Sequence, residues 1–473
     1  MEFIKRKANI LGLVTALLFL FSCNDDIMDD INENPNAPTD VPISLLLPQT
    51  IISTIHGVAG DGAGEYASFF VEHNTNVHLN LRLPANVNDN VWASTYYTLK
   101  DLQLIIDKGS EGGSEEGQYI AVGIARILYA YTLSVGTDLF GEMPHSEALQ
   151  GSANRNPAFD EQSTIYNFLQ QQLDQAIVDL EKPSIGDIAR IDLIFQGDAG
   201  MWKKTAYALK ARLYNRLSNI DPEGSAQNAL AAAALSYGSE NEGFIFDGYL
   251  SGNSNDNPWA GWQKQEQTYA VSKTFIDLVQ SFNDPGFVDP RAEKWFTKIN
   301  GAFVGAPSGE SQTDLTHSIY SAPSTETVLY DEAPQPMLTF DEMKFIEAEA
   351  HLRLGNREEA NAAYETAVVA ACRRAGISDD DINAYVAQGG VFPGAGNLGL
   401  EEIIKQKNIS FWMFQSLEAY NDYRRTGIPQ MNDPGGTPLR LPYPPSELNR
   451  NPNAPTEIND ITIYEIGVWW AGS

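Results

Sequence analysis

Residues 340–376 read FDEMKFIEAEAHLRLGNREEANAAYETAVVAACRRAG, and this stretch decides the fold that we predict for the chain. Apolar residues recur at helical spacing before Leu354-Gly355-Asn356 and again after it, which predicts two amphipathic helices joined by a tight turn. Asp341 is predicted to cap the first helix, and Asn356 the second. Gly355 is predicted to end the first helix in the left-handed conformation, which glycine adopts at little cost.

The small residues of this stretch have a regular spacing. They are Ala348, Gly355, Ala360 and Ala367, with Tyr364 between the last two. This is the spacing of a tetratricopeptide repeat, in which small side chains let paired helices approach closely and an aromatic ring fills the groove beside them. The proline that usually closes the repeat is absent, and Cys372 stands in its place. An antiparallel helix pair of another kind is the alternative.

The size and charge of the chain exclude several classes of protein. A chain of 473 residues with 43% hydrophobic residues can form one large domain or two packed lobes. The net charge of −31 repels nucleic acid, so no nucleic-acid partner is predicted. With only two cysteines, Cys23 and Cys372, a disulfide framework is excluded.

The N-terminus has the features of an export signal. Lys5-Arg6-Lys7 precedes an apolar run over residues 10–21, which has the length of a signal-peptide core. Ser22-Cys23 follows this run and resembles a bacterial lipobox. At a lipobox, signal peptidase cuts the chain before the cysteine, and the cysteine is acylated. Asn24-Asp25-Asp26 resembles the signal that sends lipoproteins of Bacteroidetes to the cell surface. An ordinary secretory signal with an incidental cysteine is the alternative. No later segment is predicted to be apolar enough to span a membrane.

The rest of the chain divides into helical and irregular regions. Residues 57–64 are glycine-rich and are predicted to form a turn, and residues 238–336 are predicted to be irregular apart from one helix at 272–280. The other predicted helices are 43–55, 65–72, 118–135, 163–180, 201–217, 226–235 and a last long one at 401–423.

Six stretches in this order resemble the SusD/RagB family of surface lipoproteins. They are the lipobox, DLFGEMPHSEA, DPR at 289–291, FDEMKFIEAEAHLRLG, DYRRTGIP and RLPYPPSE. The resemblance implies a mostly helical fold, in which tetratricopeptide-like helix pairs support an irregular, loop-rich lobe. It implies a nutrient ligand and a partner, a SusC-like TonB-dependent outer-membrane transporter. The domains then expected are a signal peptide at 1–22, a tether at 23–42 and a single nutrient-binding domain at 43–473.

Aromatic and polar residues in two regions are the candidate ligand contacts. Sugars have apolar CH faces and polar edges, so flat rings flanked by amides and guanidinium groups suit them. The family resemblance points to the loop at 74–90 and to the irregular lobe, by region only. The candidates there are His78, Asn80, Arg82, Trp259, Trp262 and Tyr320. For Trp259 and Trp262, a role in packing is an equally open alternative.

The sequence predicts no catalytic site, cofactor or metal. Asp138 and Glu142 could be imagined as an acid–base pair, but caps and salt links between helices are favoured for them. The six histidines lack metal-ligand spacing. Asp379-Asp380-Asp381 is predicted to cap a helix, with a calcium site as the minor alternative. We therefore expect a lipid-anchored outer-membrane protein that binds an oligosaccharide or peptide. The alternatives are a scaffold that binds only protein and, more weakly, a surface glycosidase.

Overall fold

Helices form the first half of the fold. The computed structural model describes residues 40–60, 62–76, 87–252, 255–266, 269–309 and 319–472. The first elements are α1 (Ile43–Ile52), a π-helix (Ser53–Gly60), α2 (Ala63–Phe70), strand β1 (Asn74–Asn76), α3 (Val87–Gly109), α4 (Tyr119–Phe140), α5 (Gln162–Leu180), α6 (Ile188–Ile191), α7 (Ala199–Arg216) and α8 (Pro222–Ala233). Asp221 caps α8 by accepting a hydrogen bond from the backbone of Gly224, so the helix begins four residues before the predicted start at 226.

The second half combines short elements with a return to helices. The elements are β2 (Gly243–Phe246), α9 (Pro258–Glu266), β3 (Tyr269–Val271), α10 (Lys273–Gln280), α11 (Pro290–Trp295), β4 (Gln335–Thr339), α12 (Phe340–Arg353), α13 (Arg357–Arg374), α14 (Asp379–Val386), α15 (Leu400–Ser410), α16 (Ser416–Thr426) and α17 (Pro445–Leu448). Among the described residues the strands form two antiparallel pairs, β1 with β3 and β2 with β4.

Neighbouring helices in the chain make the most extensive helix–helix contacts. These are the pairs α12 and α13, α4 and α5, α3 and α4, and α7 and α8. The short connection between α12 and α13 makes that pair antiparallel. The predicted mostly helical fold built from tetratricopeptide-like pairs is therefore confirmed.

The α12–α13 pair has the predicted turn but different caps. Gly355 adopts the left-handed conformation, with φ of 80°, and Asn356 stands at the start of α13 without a capping side-chain bond. The predicted cap at Asp341 was wrong, since Thr339 caps α12. The Asp341 carboxylate instead accepts two hydrogen bonds from Arg374, at 2.9 and 2.8 Å, and so ties the two helices of the pair together.

Two further predictions of local structure were wrong. The turn predicted at 57–64 is replaced by helix in most of the described residues, because the π-helix that follows α1 continues to Gly60 and α2 begins at Ala63. The long helix predicted at 401–423 is broken into α15 and α16 at residues 411–415, where Met413 has a φ of 66°. The break lets Trp412 and Met413 bury their side chains in a hydrophobic cluster shared with the irregular lobe.

Two segments, Ile43–Phe70 and Tyr119–Phe140, are long and apolar enough to cross a membrane by length and composition alone. The prediction that no segment after the leader has this property was therefore wrong. Most residues of Tyr119–Phe140 are buried within the protein, as expected for a helix of the core.

A buried network of charges joins α4, α7, α12, α15 and α16. Its carboxylates belong to Asp138, Glu342, Glu349, Glu418 and Asp422, and its cations to Arg212, Arg216, Lys407 and Arg425. All nine residues are buried. Because an unpaired buried charge is strongly destabilising, the network requires these helices to meet in one arrangement.

The DPR triplet fixes α11 in the irregular lobe. Asp289 caps the helix, and its carboxylate also accepts from Arg291 Nη2 at 2.8 Å. Arg291 donates in turn to Tyr385 Oη at 2.6 Å. The triplet therefore has a structural role, since it ties the irregular lobe to α14.

Candidate functional site

Strand β3 brings together three regions that the sequence singled out. Its residue Tyr269 pairs with Asn76, directly before the segment 77–86. The helix that carries Trp259 and Trp262, α9, precedes β3 in the chain. On its other edge, Val271 donates a backbone hydrogen bond of 2.8 Å to Ser321, the neighbour of Tyr320. The candidate regions, which are distant in sequence, therefore meet at one strand.

Hydrogen bonds at both ends hold α9 in place. Asn257, which is fully buried, accepts from the backbone of Trp259 at 3.0 Å and donates to Ala333 O at 2.8 Å. At the other end, Gln263 and Tyr269 exchange hydrogen bonds of 3.2 and 2.9 Å between the Gln263 amide and the Tyr269 backbone. Because both ends are fixed, α9 presents its side chains from a rigid support.

The two candidate tryptophans of α9 have different environments. Trp259 is 1% exposed and packs in the large hydrophobic cluster. A Cβ at Gly64 would lie 2.5 Å from Ala59 O and 3.4 Å from Trp259 Cζ2, so the glycine lets α2 approach the ring closely. Trp262 is only partly buried. Of the two open roles, the structure favours packing for Trp259 and leaves Trp262 available to a ligand.

A row of aromatic rings extends from Trp262 across α9, β3 and α2. The centroid distances along it are 6.1 Å from Trp262 to Trp259, 5.6 Å to Tyr269, 6.2 Å to Phe69 and 5.9 Å to Tyr66. These separations are typical of interacting rings. Trp259 and Tyr269 are buried, whereas Trp262, Phe69 and Tyr66 are half-buried. We call these five residues the aromatic row.

Phe69 and Tyr66 were missed in the sequence analysis. Both lie on α2 three residues apart, which places them on one side of the helix, as for Trp259 and Trp262 on α9. The aromatic pair in EYASFF was therefore a usable signal. Glu65, on the same helix, accepts a hydrogen bond of 3.0 Å from Tyr269 Oη, so a carboxylate borders the row.

Of the remaining candidates, the structure describes only Tyr320, and Tyr320 does not join Trp262 on this face. Successive side chains of a strand point to opposite faces. Tyr269 packs against Trp259, whereas Tyr320 packs against Ala270 and Ala306 in a small separate cluster, so Tyr320 lies on the opposite face of β3. His78, Asn80 and Arg82 lie outside the described residues, as does Cys23.

The carboxylates considered for catalysis have structural partners. Asp138 is 2% exposed and accepts from Arg216 Nη1 at 2.6 Å, from Trp470 Nε1 at 2.8 Å and from Tyr166 Oη. Glu142 lies 3.3 Å from Arg440 Nη2. The favoured interpretation, caps and salt links between helices, is confirmed for Asp138, which links α4 to α7, whereas Glu142 and Arg440 both lie outside the helices.

The three aspartates at 379–381 occupy the first turn of α14, where negative charge is favourable, but the cap predicted for them is made by Ser378. The Ser378 hydroxyl accepts a hydrogen bond of 3.2 Å from the backbone of Asp381. No group of three or more His, Cys, Asp or Glu residues in the described chain is arranged to hold a metal ion.

A family model described as SusD-like, starch-binding and associating with the outer membrane matches residues 35–444. The chain belongs to the SusD-like family. Among solved structures, a SusD/RagB family protein of Bacteroides thetaiotaomicron shares 27% identity at a TM-score of 0.79, covering 92% of this chain and 99% of that one. The family resemblance found in the sequence is therefore confirmed.

Other SusD-like structures show the same fold. A SusD homologue of Parabacteroides distasonis is 21% identical at a TM-score of 0.77, covering 91% of this chain and 98% of that one. A chitin-binding SusD homologue of Flavobacterium johnsoniae is 20% identical at a TM-score of 0.73, covering 90% and 98%. No curated protein matches the chain.

Proposed function

We propose that this SusD-like protein binds a glycan at the cell surface and delivers it to a TonB-dependent outer-membrane transporter. The observation that carries the glycan proposal is the half-buried ring of Trp262 on a helix held at both ends. Its neighbours Phe69 and Tyr66 extend a surface on which the CH faces of sugar rings can stack. The family description names starch, and one solved relative is described as chitin-binding, which supports a glycan as the nutrient.

Polar contacts to the glycan are proposed for the segment 77–86. The pairing of Asn76 with Tyr269 places the last described residue before this segment beside the aromatic row, which supports a role for His78, Asn80 and Arg82. Amides and guanidinium groups can bond sugar hydroxyls while the rings bind the apolar face. Tyr320, on the other face of β3, is proposed as a separate contact.

The proposed anchor and partner rest on the sequence. A signal peptide at 1–22, acylation of Cys23, a tether at 23–42 and a single binding domain from residue 43 give a lipid-anchored protein of the outer membrane. Association with that membrane is part of the family description. The transporter partner rests on the SusC-like association that the family resemblance implies.

Calorimetry on the full chain in detergent tests the glycan proposal, with oligosaccharides of glucose and of N-acetylglucosamine as ligands. Removing a stacking ring by Trp262→Ala should weaken binding by roughly 1–3 kcal/mol, taking base stacking as the guide, or about ten- to a hundredfold. Tyr97→Ala is the matched control, because Tyr97 is a 72% exposed ring on α3. Binding of neither glycan, or binding that Trp262→Ala does not weaken, would contradict the proposed site.

A further inference from the structure

A separate cavity adjoins the aromatic row through Phe414. The Phe414 ring lies 6.1 Å from the Trp259 ring and also lines a cavity of about 160 Å³. The other walls come from α11, α13, the residues before β4 and the break between α15 and α16. The cavity therefore lies between the helix pair α12–α13 and the irregular lobe, and none of the candidates that the structure describes, Trp259, Trp262 and Tyr320, lines it.

Four aromatic residues form part of the walls of this cavity, and its size suits one ring. Trp295 and Trp412 lie 5.2 Å apart, and Tyr330 and Phe414 complete the aromatic lining. An apolar cavity of about 150 Å³ binds benzene, so a six-membered ring fits a space of this volume. Thr327 and Pro334, which also line the cavity, are exposed, so substituents on the ring can reach solvent there.

Arg374 supplies a hydrogen-bond donor with no partner in the described part of the protein. Its Nε and Nη2 donate to the Asp341 carboxylate, and Nη2 also donates to Ser410 O at 2.8 Å. Nη1 makes no hydrogen bond to a described residue, and Arg374 lines the cavity. Because Asp341 already neutralises the guanidinium and the chain carries a net charge of −31, a neutral hydroxyl is a better acceptor here than an anion.

We infer that this cavity binds one neutral pyranose ring. The CH face of the sugar packs against the aromatic wall, and a hydroxyl oxygen accepts from Arg374 Nη1. A purely aromatic ligand could not accept a hydrogen bond from that donor, whereas a sugar hydroxyl can, which favours the sugar. The choice of sugars as probes rests on the proposed function, but the site itself does not depend on Trp262.

A neighbouring cavity of about 180 Å³ does not offer the same surface. It shares Ile245 and Arg374 with the first, but its lining is mainly charged. Its one aromatic ring, Phe340, has the Lys344 ammonium 5.4 Å from its centroid. Without an open stacking face this second cavity takes no sugar ring, so the inference concerns the first alone.

The test uses saturation-transfer NMR with glucose and N-acetylglucosamine on the full chain in detergent. All variants carry Trp262→Ala, which removes one of the three half-buried rings of the aromatic row. Ala375→Leu is added to fill the cavity that Ala375 lines, and Ala362→Leu, at an exposed position of α13, is the matched control. Pro334→Trp blocks the cavity at an exposed position, in case the filled variant does not fold. Melting temperatures identify variants that fold.

We expect saturation transfer to the sugars from the Trp262→Ala protein and from its combination with Ala362→Leu. Adding Ala375→Leu or Pro334→Trp instead should make the saturation-transfer signal at least tenfold weaker. Transfer that survives both of these changes would overturn the inference, as would its absence from Trp262→Ala. Failure of the proposed function is a separate result, because that proposal is tested by oligosaccharide binding to the protein with Trp262 intact.

Discussion

Arg425 and Glu349 form a two-pronged ion pair in which both side chains are completely buried. Arg425 Nη2 lies 2.8 Å from Glu349 Oε2, and Nη1 contacts Oε1. Glu349 belongs to the stretch that predicted the helix pair, and Arg425 to the DYRRTGIP segment at the end of α16. The pair therefore joins two of the segments that carry the family resemblance, and it explains why both are charged although they lie in the core.

Glu349→Gln should destabilise the protein strongly, because it leaves Arg425 buried without one of its carboxylates. Removing one partner of a buried pair typically costs about 3–5 kcal/mol of the free energy of unfolding. Glu401→Gln is the matched control, since Glu401 is 60% exposed in a pair with Lys405, and exposed pairs contribute about 0–1 kcal/mol. Equal effects of the two changes in denaturant unfolding would contradict the stabilising role of the buried pair.

The same pair contributes to acid sensitivity. Burial raises the pKa of Glu349, but the charges of Arg425 and Arg353 and the hydrogen bonds from Arg425 outweigh burial and hold the pKa well below its ordinary value. A carboxylate with a lowered folded-state pKa stabilises the protein above the unfolded pKa of about 4.3, and this stabilisation is lost as the pH falls below it.

His73 should cause a second loss of stability at mildly acidic pH. Burial lowers the pKa of His73 to about 4, although its hydrogen bonding with Asn408 opposes the shift. Between about 6.5 and 4 the unfolded chain binds a proton that the folded protein does not, so stability falls as the pH falls through this range. Across this pH range, the titration of His73 alone lowers the free energy of unfolding by on the order of 3 kcal/mol.

Denaturant unfolding of the full chain at pH 7 and at pH 5 measures this dependence. His73→Gln should reduce the pH dependence of stability, because glutamine does not titrate. His56→Gln is the control, since His56 is a partly buried histidine on the π-helix. An unchanged pH dependence in His73→Gln would show that other groups cause the loss.

Gly355 should matter for stability because of its backbone alone. A Cβ at Gly355 would meet no atom within 4 Å, but the φ of 80° strains any residue with a side chain. Gly355→Ala should therefore cost on the order of 1 kcal/mol and lower the melting temperature, with glycan affinity unchanged. At Gly396 a Cβ also meets nothing and no left-handed φ occurs, so Gly396→Ala should not destabilise. Indistinguishable melting temperatures for the two variants would rule out backbone strain at Gly355.

Local sequence patterns predicted the helices well. Where a prediction failed, a contact with a residue distant in sequence explains the failure. The left-handed Gly355 followed from the chain around it. The role of Asp341 did not, because its partner Arg374 lies on the next helix and competes for the carboxylate that a cap would need. The break at Met413 was also not predictable, because no glycine or proline marks it in the sequence and it depends on burial of Trp412 against the irregular lobe.

The candidate site was also predicted only in part, because some of the contacts that form it join residues distant in sequence. The spacing of Trp259 and Trp262 indicated one side of a helical turn, and α9 has that geometry. The burial of Trp259 depends on Gly64 of α2, which lets that helix approach the ring and is remote in sequence. The pairing of β1 with β3, which brings these regions together, has only three residue pairs and no local signature.

Cys23 is predicted to be the acylated N-terminus of the mature protein. Cys23→Ala should leave the protein unprocessed or release it from the membrane, because no lipid chain would then be attached. Even one lipid chain binds a protein to a membrane only marginally. Mass spectrometry of the native protein, with Cys372→Ala as the control for loss of the buried free thiol, measures this directly. An unmodified N-terminus at another residue would disprove the predicted anchor.

Trp259 and Trp262 should separate stability from binding. Truncating a buried tryptophan typically costs about 3–5 kcal/mol of stability, so Trp259→Ala should lower the melting temperature strongly. Trp262→Ala should change it much less, because the ring is partly exposed, while weakening glycan affinity about ten- to a hundredfold. Trp259→Phe keeps an aromatic ring between Tyr269 and Phe414 and should recover part of the lost stability. If Trp262→Ala instead lowered the melting temperature and kept full affinity, Trp262 would be a packing residue, and the ligand surface would have to lie elsewhere.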